Sequence, residues 1–297
     1  MIDLSIIIVS FNGKEFLKKC LTSILQSMEG KLKYEIIVVD NASSDGSYEM
    51  MQKEFPQVKL ISNKKNLGFS AANNIGVKAS NKNSKYVLFL NPDTIIHGNT
   101  IEEMVKFMDK HESVGASTCK LIMPNGKIDD ASHRGFPTPW NSFCYFAGLA
   151  RISPRSRIFA GYNLGWMDFE KTHEIDVLAG AFMLVRRKVG EEVGWWDEDY
   201  FFYGEDIEFC FQLKKKGWKI YYVPTVSIEH FKGVSGGIKS VSKDITTANK
   251  ETKEIATKAR FNAMRIFYNK HYKQKYPWLM NFLVDKGIRF REKFTRL

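Results

Sequence analysis

The stretch Tyr86-Val87-Leu88-Phe89-Leu90, followed at once by Asn91-Pro92-Asp93, constrains this chain more than any other. Five consecutive apolar residues read as a strand buried on both faces, which belongs in the middle of a parallel sheet. Proline offers no N–H to a ladder and fixes its own φ, so the strand must end and the chain must turn there. One carboxylate, Asp93, is thereby set at the carboxyl end of a central strand, the edge where open α/β sheets bind ligands. An aspartate in that position also serves as a helix cap, and the stretch alone does not separate the two roles.

The flanking sequence does more. Leu4–Val9 is a β-branched run ending in the turn composition Ser10-Phe11-Asn12-Gly13, and Leu17, Cys20, Leu21, Ile24 and Leu25 recur as one face of a helix. Tyr34–Val39 is a second buried run, ending in the polar loop Asp40–Ser47, and Val58–Ile61 is a third, shorter one. Asn63–Gly76 is rich in amides and small residues, which lets a ligand approach the backbone. Beyond the anchor strand, Ile101, Met104, Val105 and Met108 share a helix face. Strand and helix in alternation predict an α/β fold with a right-handed, largely parallel sheet for roughly the first 120 residues. No G-x-G-x-x-G follows the first strand and no G-x-x-x-x-G-K-[ST] occurs, which removes the mechanical basis for dehydrogenase and P-loop readings. Polar loops carrying Asp40 and Asn41, with Asp93 beside them, suit hydrogen bonds to a base and ribose and a metal on a diphosphate.

At 297 residues and 44% hydrophobic, the chain can bury a large core. No apolar run reaches the ~18–20 residues that span a bilayer. The start, Met1-Ile2-Asp3-Leu4, lacks the basic region of a signal peptide, so an intracellular protein is expected. Cys20, Cys119, Cys144 and Cys210 show no C-x-x-C spacing, which predicts reduced thiols rather than a disulfide framework or a cysteine zinc site. The net charge of +11 asks for anionic partners.

In the second half, Pro124-Asn125-Gly126 signals a hairpin, and residues 124–171 read as a lid or binding loop. Asp176–Val185 has strand character broken by Ala179-Gly180-Ala181, a bulge, a tight packing point or a place where a ligand lies on the backbone. Trp195 to Cys210 is the densest mixture of acids and aromatics. Glu205 and Asp206 there either cap a helix or stand on a pocket wall. Trp218–Pro224 and Val226–His230 are further short strands, and His230 is a structural residue or a metal ligand. From Lys258 basic groups alternate with Phe, Tyr and Trp, the pattern of an amphipathic helix on an anionic membrane or of one packed on the domain.

Six motifs in order now carry a resemblance. They are Val9-Ser10-Phe11-Asn12, Val38-Val39-Asp40-Asn41 through Asp45-Gly46, Asn66-Leu67-Gly68-Phe69 with Asn73 and Gly76, Leu90-Asn91-Pro92-Asp93, Ala179-Gly180-Ala181, and Tyr203-Gly204-Glu205-Asp206 with Glu208. Over about residues 3–231 the chain resembles an inverting, GT-A-fold, family 2 glycosyltransferase of the rhamnosyltransferase-like bacterial subgroup. The resemblance implies a Rossmann-like α/β domain over 1–231, with a nucleotide-binding half (1–120) and an acceptor and catalytic half (121–231). A flexible loop and a basic helical tail over 232–297 would follow. It implies transfer of a sugar, best read as L-rhamnose from dTDP-rhamnose and alternatively a UDP-sugar, to a saccharide or polyprenyl-diphosphate-linked acceptor at the inner face of the membrane.

Carried over residue by residue, Asp206 is the implied base, with Glu205 beside it. Asp93 is the last acid of the family's Asp-x-Asp, whose first acid is Asn91 here, and His230 joins Asp93 on Mg²⁺ or Mn²⁺. Ser10, Phe11, Asn12, Asp40, Asn41, Asn66, Gly68, Asn73, Asn74 and Asn91 are implied to line the nucleotide. Gly180, Ala181, Trp195 and Trp196 are expected beside the donor sugar or acceptor. A catalytically dead sugar-nucleotide binder and a nucleic-acid binder are the rivals; the second has only the charge in its favour, because no nucleic-acid-binding motif is present.

Overall fold

The computed structural model describes residues 2–28, 30, 32–234, 236–238 and 244–295. The first half follows the alternation: β1 (Leu4–Ser10), α1 (Lys14–Ser27), β2 (Tyr34–Asp40), α2 (Ser47–Glu54), β3 (Lys59–Ser62), α3 (Phe69–Ala79) and β4 (Tyr86–Leu90). Then come β5 (Thr94–Ile96), α4 (Thr100–Lys110), β6 (Val114–Ile122), α5 (Pro139–Phe146), α6 (Leu149–Ile152), β7 (His173–Ile175), β8 (Phe182–Arg186), α7 (Arg187–Val193), α8 (Glu205–Lys215) and β9 (Lys219–His230). Two helices close the chain, α9 (Lys250–His271) and α10 (Trp278–Thr295).

The nine strands form one sheet in the order β3-β2-β1-β4-β8-β6-β9-β5, with β7 pairing β9. The block β3-β2-β1-β4 is parallel, β8 is antiparallel to both neighbours, and β6 and β9 run parallel again. β5 and β7 are antiparallel to β9, so six strands point one way and three the other. Helices cover both faces of this mixed α/β sheet. Along β4, Tyr86, Leu88 and Leu90 enter the core under α1 and α4, while Val87 and Phe89 enter the one under α3 and α8. That is the period-2 alternation of a strand buried on both sides, which produces a continuous apolar run. All four cysteines are buried and unpaired.

Three strand readings are revised. Lys219–His230 form one strand, β9, in place of the two expected over residues 218–230. Its register against β6 slips from Cys119↔Val223 to Lys120↔Ser227, and the extra residues, Pro224 among them, bulge where proline cannot donate. Residues 176–181 are not strand; β8 begins at Phe182, after the Ala179-Gly180-Ala181 bend. β5 is three residues long and carried no readable pattern, yet it decides the geometry below.

The C-terminal helices differ. α9 buries Ala256, Phe261, Ala263 and Phe267. Lys270 pairs with Asp197 and Asp199, and His271 lies 2.7 Å from Glu208, so α9 is fastened to the domain. No residue of α10 is buried, and Trp278, Phe282, Phe290 and Phe294 are each at least half exposed. The flexible loop expected after residue 231 falls in part on 235 and 239–243, outside the described residues. Among the described residues, no helix is long and apolar enough to cross a membrane.

Candidate active site

A cleft of about 1300 Å³ opens at the carboxyl ends of β1, β2 and β4. Val9, Phe11, Asn12, Asn41, Asn66 and Gly68 line one end, Asn91, Pro92, Asp93 and His230 the middle, and Gly180, Ala181, Glu205 and Asp206 the far wall.

The nucleotide-side loops are tied to one another. Asn12 accepts from Ser44 N–H at 2.8 Å and its own N–H donates to Ser43 Oγ at 2.9 Å. The Asn41 amide donates to Asn66 Oδ1 (2.8 Å) and Gly68 O (3.2 Å), while its oxygen accepts from Leu67 N–H (3.0 Å). Asn41 and Asn66 therefore hold the floor rigid with hydrogen bonds already committed. Gly68 has φ +84°, and a Cβ there would stand 2.5 Å from Phe201 O, so this glycine serves a close backbone approach as well as an open cleft. Asp40 is buried behind the cleft; one carboxylate oxygen accepts from Ser43 N–H at 3.2 Å and the other has no partner. Ser10 Oγ is likewise buried and unpaired.

Asp93 and His230 are neighbours because β5 and β9 pair. The register sets Thr94 opposite His230, and Phe231 N–H donates to Asp93 O at 2.9 Å. His230 Nε2 then lies 3.6 Å from Asp93 Oδ1, too far for a good hydrogen bond, and is buried without a partner. Its Nδ1 is 2.8 Å from Asp129 Oδ2, and Lys232 pairs with the other Asp129 oxygen at 2.5 Å. Burial raises Asp129's cost of ionisation, but the His230 hydrogen bond and the His230 and Lys232 charges outweigh it and hold the acid well below the usual range. Burial alone would lower His230, yet Asp93's charge and Asp129's hydrogen bond push it up to about 9. A carboxylate on the far nitrogen of a histidine whose near nitrogen is free is how metal-ligating imidazoles are oriented, so these residues fit a divalent cation. Among the described residues no group of three or more His, Cys, Asp or Glu is placed to hold a metal ion.

On the far wall, Gly204 with φ +83° starts α8 and presents Glu205 and Asp206 in its first turn. Arg134 Nη2 donates to Asp206 Oδ2 at 2.6 Å and to Leu178 O at 3.2 Å, and Arg134 Nε donates to Ala131 O at 3.0 Å. Asp206 is thus clamped by a cation itself fixed to the backbone. Glu205 has no such partner: Oε2 is buried and unpaired, and burial, with the charge of Asp206, pushes its carboxyl up to about 8. Backbone strain gathers around the same space. Asn12, Tyr203 and Lys232, all in the lining, and Ala42 behind it are non-glycine residues with φ between 47° and 69°.

Several expected site residues lie elsewhere. Asn73 is buried and donates to Phe69 O in its own helix. Asn74 donates to Trp196 O at 2.9 Å and Glu198 Oε1 at 2.8 Å, latching α3 to the loop between α7 and α8. Trp195 and Trp196 do not flank the cleft as expected. Trp196 is 2% exposed and stacks on Phe209, and Trp195 fits over Gly190, where a Cβ would meet its ring at 2.2 Å. Large rings enter the core wherever a neighbour leaves room. Phe201, Phe202 and Tyr203 of the same aromatic run line the cleft instead. Asp129 and Arg134 were missed. The readable signal for Asp129 was the hairpin itself: Gly126 turns it, Met123 and Lys127 bond across it, and Asp129 N–H donates to Leu121 O, carrying the acid under His230. Arg134 carried no local signal.

Known proteins give the frame for this geometry. The sequence profile described as Glycosyl transferase family 2 matches residues 5–194. Rhamnosyltransferase WbbL of Escherichia coli (strain K12) is 29% identical over 233 residues, 76% of this chain and 82% of that protein. The N-acetylglucosaminyl-diphospho-decaprenol L-rhamnosyltransferase of Mycobacterium tuberculosis is 26% identical over 243 residues, 79% of this chain and 78% of that one. Among solved structures, GalNAc-T7 with UDP, GalNAc and Mn²⁺ superposes with a TM-score of 0.56 at 17% identity. It covers 77% of this chain, which spans 44% of the GalNAc-T7 chain, and at that identity the match speaks to the GT-A fold alone.

Proposed function

We propose that this chain, which belongs to glycosyl transferase family 2, is an inverting, metal-dependent transferase that moves L-rhamnose from dTDP-rhamnose to a hydroxyl of a lipid-linked saccharide. The observation that carries the reading is a set of unpaired buried polar atoms in the lining of one cleft, Asn91 Oδ1, His230 Nε2 and Glu205 Oε2, with Asp40 Oδ1 buried behind it. Buried polar atoms are ordinarily satisfied, so this concentration marks a binding site for a polar, multi-contact ligand.

Asp40 has a free acceptor for a pyrimidine N–H, with Phe11 and Asn12 beside base and ribose. Asp93 and His230 would hold Mg²⁺ or Mn²⁺, the second suiting imidazole better. A divalent ion there supplies charge compensation for the departing diphosphate. Asp206, aimed by Arg134, accepts the acceptor hydroxyl's proton as its oxygen bonds to the anomeric carbon and the bond to the diphosphate breaks, which inverts that centre. Ala179-Gly180-Ala181 lines the cleft with small residues, which leaves room beside it for the sugar. The exposed aromatic and basic face of α10 supports a peripheral enzyme on the cytoplasmic side of an anionic membrane. The rhamnosyltransferase relatives favour rhamnose; a UDP-sugar donor is the second reading, favoured by the UDP in the GalNAc-T7 structure.

A panel of dTDP- and UDP-sugars incubated with the protein and Mn²⁺ or Mg²⁺ tests this by nucleoside diphosphate release. Release from dTDP-rhamnose above the others is expected. Release from none of them, with no nucleotide binding, would sink the reading.

A further inference from the structure

The cleft is larger than a sugar nucleotide needs, since sites for small ligands commonly run ~300–1000 Å³ and this one is about 1300 Å³. The excess lies between α5, α9 and α10. From α10, Met280, Leu283, Val284, Gly287 and Ile288 line it, spaced i, i+3, i+4, i+7 and i+8, so one helix face turns toward the cleft. None of the five carries a hydrogen-bonding side chain, and none is buried. The opposite wall is α5, where Trp140 and Phe143 are 49% and 57% exposed. Arg260 of α9 lines the space between, and Arg291 lies 4.7 Å over the Phe146 ring, bridging α10 to α5.

We infer that this channel holds the hydrocarbon chain of the acceptor, a polyisoprenyl diphosphate carrying the sugar that is glycosylated, with Arg260 and Arg291 toward its diphosphate. The inference rests on the glycosyltransferase reading with its lipid-linked acceptor and adds the seat of the lipid. Three observations select this occupant. The channel is continuous with the cleft containing Asp206, so what fills it presents its head to the base. The α10 side would strip water from a saccharide's hydroxyls without replacement bonds, the hydrogen-bonding groups of the space (Tyr145, Glu251, Thr252, Tyr268) coming from α5 and α9. Two guanidinium groups beside the apolar stripe of α10 suit a ligand with one anionic head and a long apolar tail.

The test uses three probes on the full chain, by calorimetry below the lipids' aggregation concentration, with and without saturating UDP and Mn²⁺: inorganic diphosphate, geranyl diphosphate and geranylgeranyl diphosphate. Burial of each additional CH₂ is worth ~0.8 kcal/mol, so geranylgeranyl diphosphate is expected to bind at least about tenfold tighter than geranyl diphosphate. Leu283→Glu and, on the other wall, Phe143→Glu each remove that preference and leave UDP affinity unchanged; both side chains are more than half exposed, so folding is not at stake. Equal affinity for the three probes overturns the inference. So does an unchanged preference in both variants, or loss of a self-associated species in Leu283→Glu with lipid affinity intact, which would make a second copy the occupant. The UDP titration reports separately on the nucleotide site: a chain that binds UDP but not the longer lipid keeps the transferase reading and loses this one.

Discussion

Two acidic clusters line this cleft, and they are built differently. On the β5–β9 side the carboxylates Asp93 and Asp129 are separated by His230, with Lys232 on the outer acid. On the α8 side Glu205 and Asp206 are adjacent in sequence with one cation near them, Arg134, which pairs with Asp206 and not with Glu205. The first cluster intersperses its acids with His230 and Lys232 and leaves His230 Nε2 without a hydrogen-bond partner. The second leaves one acid clamped and the other uncompensated, and loss of water on burial is what most raises Glu205. Similar burial thus has opposite consequences, according to whether a cation reaches the acid: Asp129 is driven far down and Glu205 is driven up to about 8. On the proposed reading, the clamped Asp206 would take the proton and the Asp93–His230 side would hold the ion that offsets the diphosphate's charge.

The largest effect expected from breaking this contrast is at Asp206. Asp206→Asn should lower transfer by ~10²–10⁴, the usual worth of a general base, with nucleoside diphosphate affinity nearly unchanged. Retention of full transfer in that variant would refute the base assignment. On the other cluster, if His230 is a metal ligand as proposed, Asp129→Asn should cost ~10–100-fold in Mn²⁺ affinity or activity, because Asp129 holds the His230 ring from its far nitrogen. A Mn²⁺ titration read by electron paramagnetic resonance measures this, and an unchanged curve would make Asp129 a purely structural acid. With Asp93 the sole acid expected on the ion, the same titration should show micromolar Mn²⁺ binding only with UDP or dTDP present; such binding without nucleotide would count against the Asp93–His230 pair acting alone.

Next in size is Arg134. Arg134→Met leaves Asp206 unclamped, and a fall in kcat of roughly tenfold with KM for the donor little changed is expected, partly restored by Arg134→Lys. An equal fall in both variants, matched by lost thermal stability, would mean the clamp supports the fold only.

The smallest effect is at Glu205, and its sign follows from linkage. Because burial raises the folded-state carboxyl to about 8 from an ordinary value of 4.5, the folded chain holds a proton that the unfolded chain has lost. The stability cost is absent below 4.5, grows as pH rises through that window and is complete above 8. Glu205→Gln should therefore raise Tm at pH 8.5, by at least about 2 °C, and change it least near pH 4.5. A gain of the same size at both pH values would show that the unpaired charge is not the source.

Legibility in the sequence tracked the range of the interactions. β1, β2 and β4 are long apolar runs whose burial on both faces writes itself into consecutive residues, and Pro92 ended the last of them where the structure does. The hairpin at Pro124–Gly126 was readable because a glycine at φ +76° is a local requirement. β5 was not readable, since three residues have no period, and its pairing to β9 lies well over a hundred residues away in sequence. Trp195 and Trp196 were placed by composition beside the cleft and by packing in the core; nothing within a few residues of them records that Gly190 and Phe209 leave the room. The tail's mixed basic and aromatic character was plain, but only the folded chain separates α9, fastened through His271 and Lys270, from α10, which buries nothing.

The sequence by itself determined the α/β alternation, the carboxyl-edge position of Asp93 and the set of acids on offer, because strand burial, proline and helix periodicity act over a few residues. The tertiary structure alone decided which acid is clamped, which is left protonated and which holds the histidine. Those outcomes depend on Arg134, Asp129 and Lys232 arriving from other elements, and Coulomb and desolvation energies are set by distance in space, not along the chain.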